Sequence, residues 1–224
     1  MKKLTSFSQP AFSHGFIAFS LLLLLSLSAC QSAYYSAWEK LGVEKRDILV
    51  DRVEDARDAQ EDAQEQFTSA LEELSELISY DGGDLEKTYN RLNDEYENSV
   101  SAAENVSGRI DKIESVANAL FSEWETEITQ YSNARFKSDS QRQLSETRKR
   151  YQSLNKSLRS AEQSMQPVLT TMKDNVLYLK HNLNARAVGT LKGEYQSIKR
   201  DINKLIAEMN TAIDRSNDFI ESME

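Results

Sequence analysis

The amino-acid sequence predicts an all-α protein: an elongated antiparallel up-down-up-down helical bundle with coiled-coil-like heptad seams, preceded by a cleaved signal peptide. Apolar residues recur with alternating steps of four and three in four consecutive segments, which is the spacing of a heptad seam. Beyond residue 30 the chain has one proline and six glycines, too few for a fold rich in turns. Because each seam is apolar on one side only, four helices must bury their seams against one another.

The first 29 residues have the anatomy of an export signal. Lys2 and Lys3 precede an apolar run, and small residues follow that run directly before Cys30. The run is about half of the roughly 20 residues that a membrane-spanning helix needs, so a permanent transmembrane anchor is the weaker interpretation. Cys30 is the only cysteine, so it has no partner for a disulfide within the chain. We therefore predict a signal peptide over residues 1–29.

The segment Leu27-Ser28-Ala29-Cys30 resembles a bacterial lipobox. The resemblance implies diacylglyceryl transfer to the Cys30 thiol, cleavage between Ala29 and Cys30, and acylation of the new amine, with palmitate among the acyl chains. Two or three chains anchor a protein to a membrane far more firmly than one. In the sorting rule of such envelopes, aspartate directly after the cysteine retains a lipoprotein in the inner membrane. Gln31 and Ser32 follow here, which implies the outer membrane, facing the periplasm.

Residues 30–36 are predicted to form a lipidated tether, and residues 37–224 the bundle, with helices at about 37–80, 84–137, 140–184 and 186–223. Aromatic residues follow the tether closely, and they would lie either at the lipid–water interface or over the end of the bundle. These residues are Tyr34, Tyr35 and Trp38.

The first two seams are joined by a glycine turn. Gln60 is the one polar residue that interrupts the first seam, and the second seam keeps its spacing from Leu85 to Tyr131. Gly82 and Gly83 are suited to the left-handed conformation at a helix end, and Asp84 is the predicted N-cap of the next helix. The first seam comprises Leu49, Val53, Ala56, Gln60, Ala63, Phe67, Ala70, Leu74 and Leu77.

The third and fourth seams are separated by a turn predicted near Asn184. Ser140 with Gln143 matches a capping box, which predicts the start of the third helix. Pro167 is predicted to kink that helix rather than end it, because the seam stays in phase across the proline. The third seam comprises Leu144, Tyr151, Leu154, Leu158, Ala161, Met165, Val168, Met172, Val176, Leu179 and Leu183. The fourth comprises Val188, Leu191, Tyr195, Ile198, Ile202, Leu205, Met209, Ala212, Ser216, Phe219 and Met223.

Charge is distributed unevenly among the helices. The formal net charge is −9, or −11 once Lys2 and Lys3 leave with the signal peptide, which argues against binding nucleic acid or anionic lipid head groups through a general basic surface. The third helix is the basic exception, and its possible interaction face comprises Arg142, Arg148, Lys149, Arg150, Lys156 and Arg159. Two interpretations stay open. These residues either balance the acidic first and second helices or contact anionic lipid or an envelope polymer.

No catalytic, cofactor or metal site is predicted. His181 is the one histidine left after cleavage, and we expect it on the surface of the bundle. Helical di-metal sites need a Glu-x-x-His pair on each of two helices, and the sequence lacks them. It also lacks a Gly-Lys-Ser/Thr phosphate loop, so we do not expect the protein to bind a nucleotide. With none of these sites in the sequence, we do not expect an enzyme.

The order of segments resembles an uncharacterised bacterial family, domain of unknown function 2959. The resemblance follows the lipobox, then the segments 52–60, 80–85 and 178–185, and covers nearly all of the mature chain. Family members are sometimes labelled as DNA repair ATPases. The absence of a nucleotide loop, the acidic charge and the export signal all depart from that label.

We therefore expect an outer-membrane lipoprotein whose periplasmic bundle is a non-catalytic structural or spacer module. A first alternative is an adaptor that binds a protein partner of an envelope machine. A second is a carrier of lipid or a hydrophobic client, which would have to open its seams. Exposed seam residues would favour the carrier, in particular Tyr151, Met165, Met172 and Tyr178.

Overall fold

The computed structural model describes residues 44–79, Gly82 and residues 84–223. Within these ranges the chain forms four helices and no strand, and the all-α prediction is confirmed. The helices are α1 (Lys45–Ile78), α2 (Leu85–Gln130), α3 (Ala134–His181) and α4 (Ala185–Glu221). Outside the described residues lie the predicted signal peptide, the tether, the sites at Ala29, Cys30, Gln31 and Ser32, and the aromatic residues Tyr34, Tyr35 and Trp38.

Helices α1 and α2 run antiparallel. Asp55, early in α1, accepts an ion pair from Arg109 at 2.8 Å, and Glu73, late in α1, pairs with Arg91 at 2.8 Å. As the residue number rises along α1, the number of the paired residue in α2 falls. The two helices therefore run in opposite directions.

Helix α3 returns alongside α2, and α4 returns alongside α3. Between α2 and α3, Glu125 pairs with Arg148 at 2.8 Å. Between α3 and α4, the Ser164 hydroxyl donates a hydrogen bond to Glu208. Arg57 of α1 donates to Asn217 of α4 at 3.4 Å, so the four helices close into a ring. This is the up-down-up-down arrangement that the short connections predicted.

The core is built from the predicted seams. All nine residues of the first seam are buried, and the third and fourth seams are buried throughout except at Leu183 and Tyr195. Two predictions at seam ends are wrong: Tyr131 is 45% exposed and Leu183 is 43% exposed. Both lie just beyond a helix end, at Gln130 and His181, where the helical phase that would turn them inward stops.

The turn between α2 and α3 is displaced from its predicted place. Helix α2 ends at Gln130 rather than near residue 137, and α3 begins at Ala134 rather than at Ser140. The Asn133 side chain caps α3 by accepting the amides of Arg135 at 2.9 Å and Phe136 at 3.4 Å. Ser140 lies inside α3, where its hydroxyl accepts the indole N–H of Trp124 at 2.8 Å instead of capping a helix.

The other two turns lie where the sequence placed them. Gly82 has φ +138°, a conformation that favours glycine, and Asp84 caps α2 by accepting the Lys87 amide at 3.1 Å. Asn184 caps α4 in the same way, accepting the Arg186 and Ala187 amides. Helix α3 is continuous through Pro167, so the proline does not end it.

The α2–α3 hairpin extends past the adjacent ends of α1 and α4. Asp55 lies level with Arg109, so Arg46 lies level with about residue 118, and α2 continues for roughly 18 Å beyond that level. Ser164 lies level with Glu208, which places the end of α4 level with about residue 151 of α3. The α2–α3 turn is therefore the outermost described part of the end at which α1 begins.

Candidate interaction site

Arg159 is the centre of an ion-pair cluster between α2 and α3. Its guanidinium lies 2.7 Å from Asp111, 2.8 Å from Glu114 and 2.8 Å from Glu162. Asn155 donates a further hydrogen bond to Glu114 at 3.0 Å. The hydrogen bonds from Arg159 hold the pKa of Glu114 below its ordinary value, and those carboxylates raise the pKa of Arg159.

Arg148 belongs to a second cluster, which lies nearer the α2–α3 turn. It pairs with Glu125 at 2.8 Å and lies over the Phe121 ring, 5.0 Å from its centroid. Phe121 meets Tyr151 edge to face, with ring centroids 5.4 Å apart. Burial raises the pKa of Tyr151 to about 12. These groups line a cavity of about 330 Å³ with Asn118, Ser122 and Gln152.

The other four residues of the predicted interaction face do not join these clusters. Arg142 pairs with Asp139 one helical turn along at 3.0 Å, and Arg150 donates to the Thr147 hydroxyl at 3.3 Å. Lys149 and Lys156 are exposed. Positions 142, 149 and 156 are seven apart and share one stripe, whereas Arg148 and Arg159 contact acids of α2. Of the six predicted residues, two thus contact α2, three share the outer stripe, and Arg150 belongs to neither group.

Exposed large apolar side chains mark the two ends of the bundle. At the α2–α3 turn, Tyr131 is 45% exposed and Phe136 is 58% exposed. At the α3–α4 turn, Leu177, Tyr178 and Leu183 are exposed by 44%, 38% and 43%. Every exposed large apolar residue found within the described ranges belongs to one of these two groups. The sequence assigned Tyr131 and Leu183 to the core, so heptad spacing alone did not reveal either patch.

A groove of about 610 Å³ runs between α2 and α3 and ends at the α3–α4 patch. Tyr96, Val100 and Ala103 line it from α2. Leu169 and the exposed Leu177 line it from α3, with Glu104, Glu162, Lys173 and Asp174 also at its edge. The groove combines apolar walls with charged side chains of both signs.

The sequence profile of the family described as "Protein of unknown function (DUF2959)" matches residues 34–223. The chain belongs to the DUF2959 family. The match spans all four helices and confirms the family that the segments 52–60, 80–85 and 178–185 resembled. No curated protein and no solved structure matches the DUF2959 protein significantly.

The interior of the DUF2959 bundle is closely packed. A cavity of only about 10 Å³ lies among residues of all four helices, including Leu74, Leu92, Met172 and Ile198. That volume is near the minimum for a single water molecule. Met165, Met172 and Tyr151 are buried, and of the four residues that would favour a carrier only Tyr178 is exposed.

One polar side chain lies in this interior without a partner. Gln60 has no exposed surface, and neither its amide nitrogen nor its amide oxygen has a hydrogen-bond partner. A buried polar group left unsatisfied in this way costs about 1–3 kcal/mol of folding free energy.

The chemistry-bearing residues of the described helices are dispersed. His181 is exposed, as expected. In the described ranges, no group of three or more His, Cys, Asp or Glu side chains is arranged to hold a metal ion. None of the helices in that part of the chain combines the length and apolar character needed to cross a membrane.

Proposed function

We propose that this DUF2959 protein is an outer-membrane lipoprotein, anchored through acyl chains on Cys30, whose periplasmic bundle is a non-catalytic spacer. The observation that carries the proposal is the placement of apolar surface. Within the described ranges the exposed large apolar residues lie at the two turn-bearing ends, while the first, third and fourth seams between them are almost wholly buried. Helix α3, with 48 residues, is roughly 72 Å long, so its ends can contact structures far apart.

The closed seams favour the spacer over the carrier. A client enclosed by the bundle needs several hundred Å³ of apolar interior, and the cavity that all four helices line has about 10 Å³. The 610 Å³ groove between α2 and α3 is lined partly by charged side chains. A carrier would have to separate helices whose buried residues include Phe67, Leu154 and Phe219. The free-energy cost of exposing such side chains is about 1.5–3 kcal/mol each.

Lipidation is tested by changing Cys30. The wild-type chain should incorporate an alkyne-tagged palmitate analogue and fractionate with the outer membrane. Cys30→Ser should lose the label and leave the membrane fraction, because the thiol is the attachment atom. Ser28→Ala, which keeps a small residue in the lipobox, is the matched control and should behave like wild type. An unlabelled wild-type chain, or unchanged fractionation of Cys30→Ser, would refute the lipoprotein assignment.

The predicted sorting to the outer membrane is tested by changing Gln31. Gln31→Asp should move the protein from the outer to the inner membrane, since aspartate at that position is the retention signal of the sorting rule. Gln31→Asn has the same size without the charge and should leave the distribution unchanged. An outer-membrane location for Gln31→Asp would contradict the sorting argument.

The adaptor is the second candidate, favoured by the α3–α4 end. There the exposed Leu177 belongs both to the apolar patch and to the 610 Å³ groove, so a protein segment can bind patch and groove together. A photo-crosslinking residue at position 183 should then capture one defined envelope protein, and Leu177→Ser should weaken the capture. The same probe at exposed position 90, on α2 near that end, is the control for nonspecific capture. Equal products from both positions would argue against the adaptor.

A further inference from the structure

The α2–α3 turn lies at the end of the bundle from which the chain leads back to Cys30. Helix α2 extends roughly 18 Å past the level of Arg46, so the turn projects beyond the start of α1. Residues 31–44 separate the predicted anchor from α1, and 14 extended residues span up to roughly 46–50 Å. This upper limit exceeds the roughly 18 Å by which the turn projects beyond the start of α1, so the proposed anchor and the turn can meet the same surface.

The side chains at this turn have the composition of a membrane-interface contact. We define the hairpin tip as residues 128–138. Tyr131 and Phe136 are its exposed aromatic residues, and Arg135 is exposed beside Phe136. Aromatic rings are favoured at the level of lipid head groups, and basic side chains are attracted to anionic lipids.

The charge of the hairpin tip is positive although the mature chain is acidic. Arg135 and Lys137 are its charged residues, and the sequence from 128 to 138 contains no Asp or Glu. The nearest acids are Glu127, which is exposed, and Asp139, which pairs with Arg142 at 3.0 Å. The tip therefore presents a net positive, aromatic end.

We propose that the hairpin tip is a second membrane contact, made with the anionic phospholipid surface to which the acylated Cys30 tethers the protein. The contact rests on the proposed lipid anchor and adds an orientation to it. The bundle stands with the α2–α3 turn on the bilayer and the α3–α4 end directed away from it. The apolar patch at Leu177, Tyr178 and Leu183 is then presented at the far end of the spacer.

The test uses the full acylated protein with one reporter cysteine. In Ser132→Cys the introduced thiol is open to labelling with nitrobenzoxadiazole, because acylation occupies the Cys30 thiol. The labelled protein is inserted into preformed vesicles of phosphatidylethanolamine and phosphatidylglycerol that contain a spin-labelled lipid. Emission from position 132 should shift to the blue and be quenched by the lipid. Asn90→Cys, exposed near the opposite end, is the control position and should show neither effect.

Two variant pairs identify the groups responsible. Tyr131→Ser with Phe136→Ser should abolish quenching at position 132, whereas Leu177→Ser with Leu183→Ser removes as many exposed apolar side chains from the other end and should not. Arg135→Gln and Lys137→Gln should each lower the equilibrium constant of tip contact roughly fivefold. Replacing phosphatidylglycerol by phosphatidylcholine should lower the equilibrium constant further, because both basic side chains then lose their anionic partners. Circular dichroism should show unchanged helix content, since all these side chains except Lys137 are exposed in the fold.

The outcomes separate this contact from the anchor. A chain without acyl groups by mass spectrometry would refute the proposed lipoprotein. An acylated chain whose label at 132 is not quenched would overturn the tip contact and leave the anchor standing. Quenching that persists without Tyr131 and Phe136 would also overturn it. Shielding of position 132 only after addition of envelope proteins would assign the tip to a protein partner instead of lipid.

Discussion

Gln60 is the residue at which the packing of the bundle and its polar chemistry conflict. Its neighbours in the seam, Ala56 and Ala63, are buried and apolar, so the heptad turns the Gln60 amide inward. Both polar atoms of that amide are without hydrogen-bond partners there, although water would satisfy them in the unfolded chain. Gln60 therefore lowers the stability of the fold, and a polar seam residue of this kind can serve to fix helix register.

Replacing Gln60 by Leu should stabilise the bundle by about 1–3 kcal/mol, because the substitution removes two unsatisfied groups and keeps a side chain of similar volume. The free energy of unfolding from urea denaturation checks this. Gln143→Leu, at an exposed position of α3, is the control and should change stability by less than about 0.5 kcal/mol. A destabilised Gln60→Leu variant would show that the amide is satisfied in solution.

Single residues also show where the heptad pattern stops being informative. The spacing predicted correctly that Leu49, Phe67 and Leu154 would be buried, since a regular helix fixes the direction of each side chain. It was wrong for Tyr131 and Leu183, which continue the spacing but follow the last helical residue. Burial beyond a helix end depends on the path of the turn, and periodicity contains no information about that path.

The start of α3 is decided by competition between two capping signals. Ser140 with Gln143 matches a capping box, and Asn133 offers a simple N-cap seven residues earlier. Starting at Asn133 lets residues 134–140 add helical hydrogen bonds and places the Ser140 hydroxyl against the Trp124 indole. The predicted start at Ser140 was therefore wrong by six residues, because the choice between the two caps depends on this contact between helices.

The location of the turn predicts different effects for two nearby substitutions. Asn133→Ala should destabilise the bundle by about 1 kcal/mol, because the amides of Arg135 and Phe136 lose their acceptor. Ser138→Ala, inside α3 and exposed, should be neutral or slightly stabilising, since alanine is the better helix former. Thermal unfolding of both variants makes the comparison. A greater loss of stability in Ser138→Ala than in Asn133→Ala would contradict the observed turn and favour the predicted turn at 138–140.

Within α3 the basic residues differ in what they contribute to the element. Arg159 contacts three carboxylates and its side chain is 26% exposed, whereas Arg142 contacts one carboxylate and is 64% exposed. Exposed pairs contribute little because solvent screens them, and partly buried networks contribute more. The charge pattern alone did not distinguish these two residues. Burial depends on the crossing of α2 and α3, which the pattern does not specify.

Arg159→Met should destabilise the bundle by about 1–2 kcal/mol at neutral pH, after allowance for partial exposure of the cluster. Arg142→Met is the matched control and should be close to neutral. Glu114 supplies the pH dependence, because Arg159 lowers its pKa in the folded state. Its contribution is therefore complete above its ordinary pKa of 4.5 and is lost as pH falls through the lower folded value. Urea titrations of Glu114→Gln should converge on wild type below that pH, and a constant difference would exclude this linkage.

At the scale of the whole molecule, the seams join the four helices around a shared core. The small central cavity is lined by Leu74, Leu92, Met172 and Ile198, one from each helix, so all four helices share this part of the core. The number of helices and their order were predictable because four seams with short connections admit few arrangements. The extension of the α2–α3 hairpin beyond α1 and α4 was not predictable, because it depends on the register between the helices.

A spacer and a carrier differ in how the helices of the bundle separate. In a spacer, buried seam amides of all four helices should exchange their hydrogens only through global unfolding, and should give one common free energy. In a carrier, α1 or α4 should open at a lower free energy, and lipid should alter the exchange of that helix. Native-state hydrogen exchange at increasing urea, with and without phosphatidylglycerol, distinguishes them. We expect the amides of Val53, Ile110, Leu158 and Ile202 to converge, because all four residues are almost fully buried in the shared core.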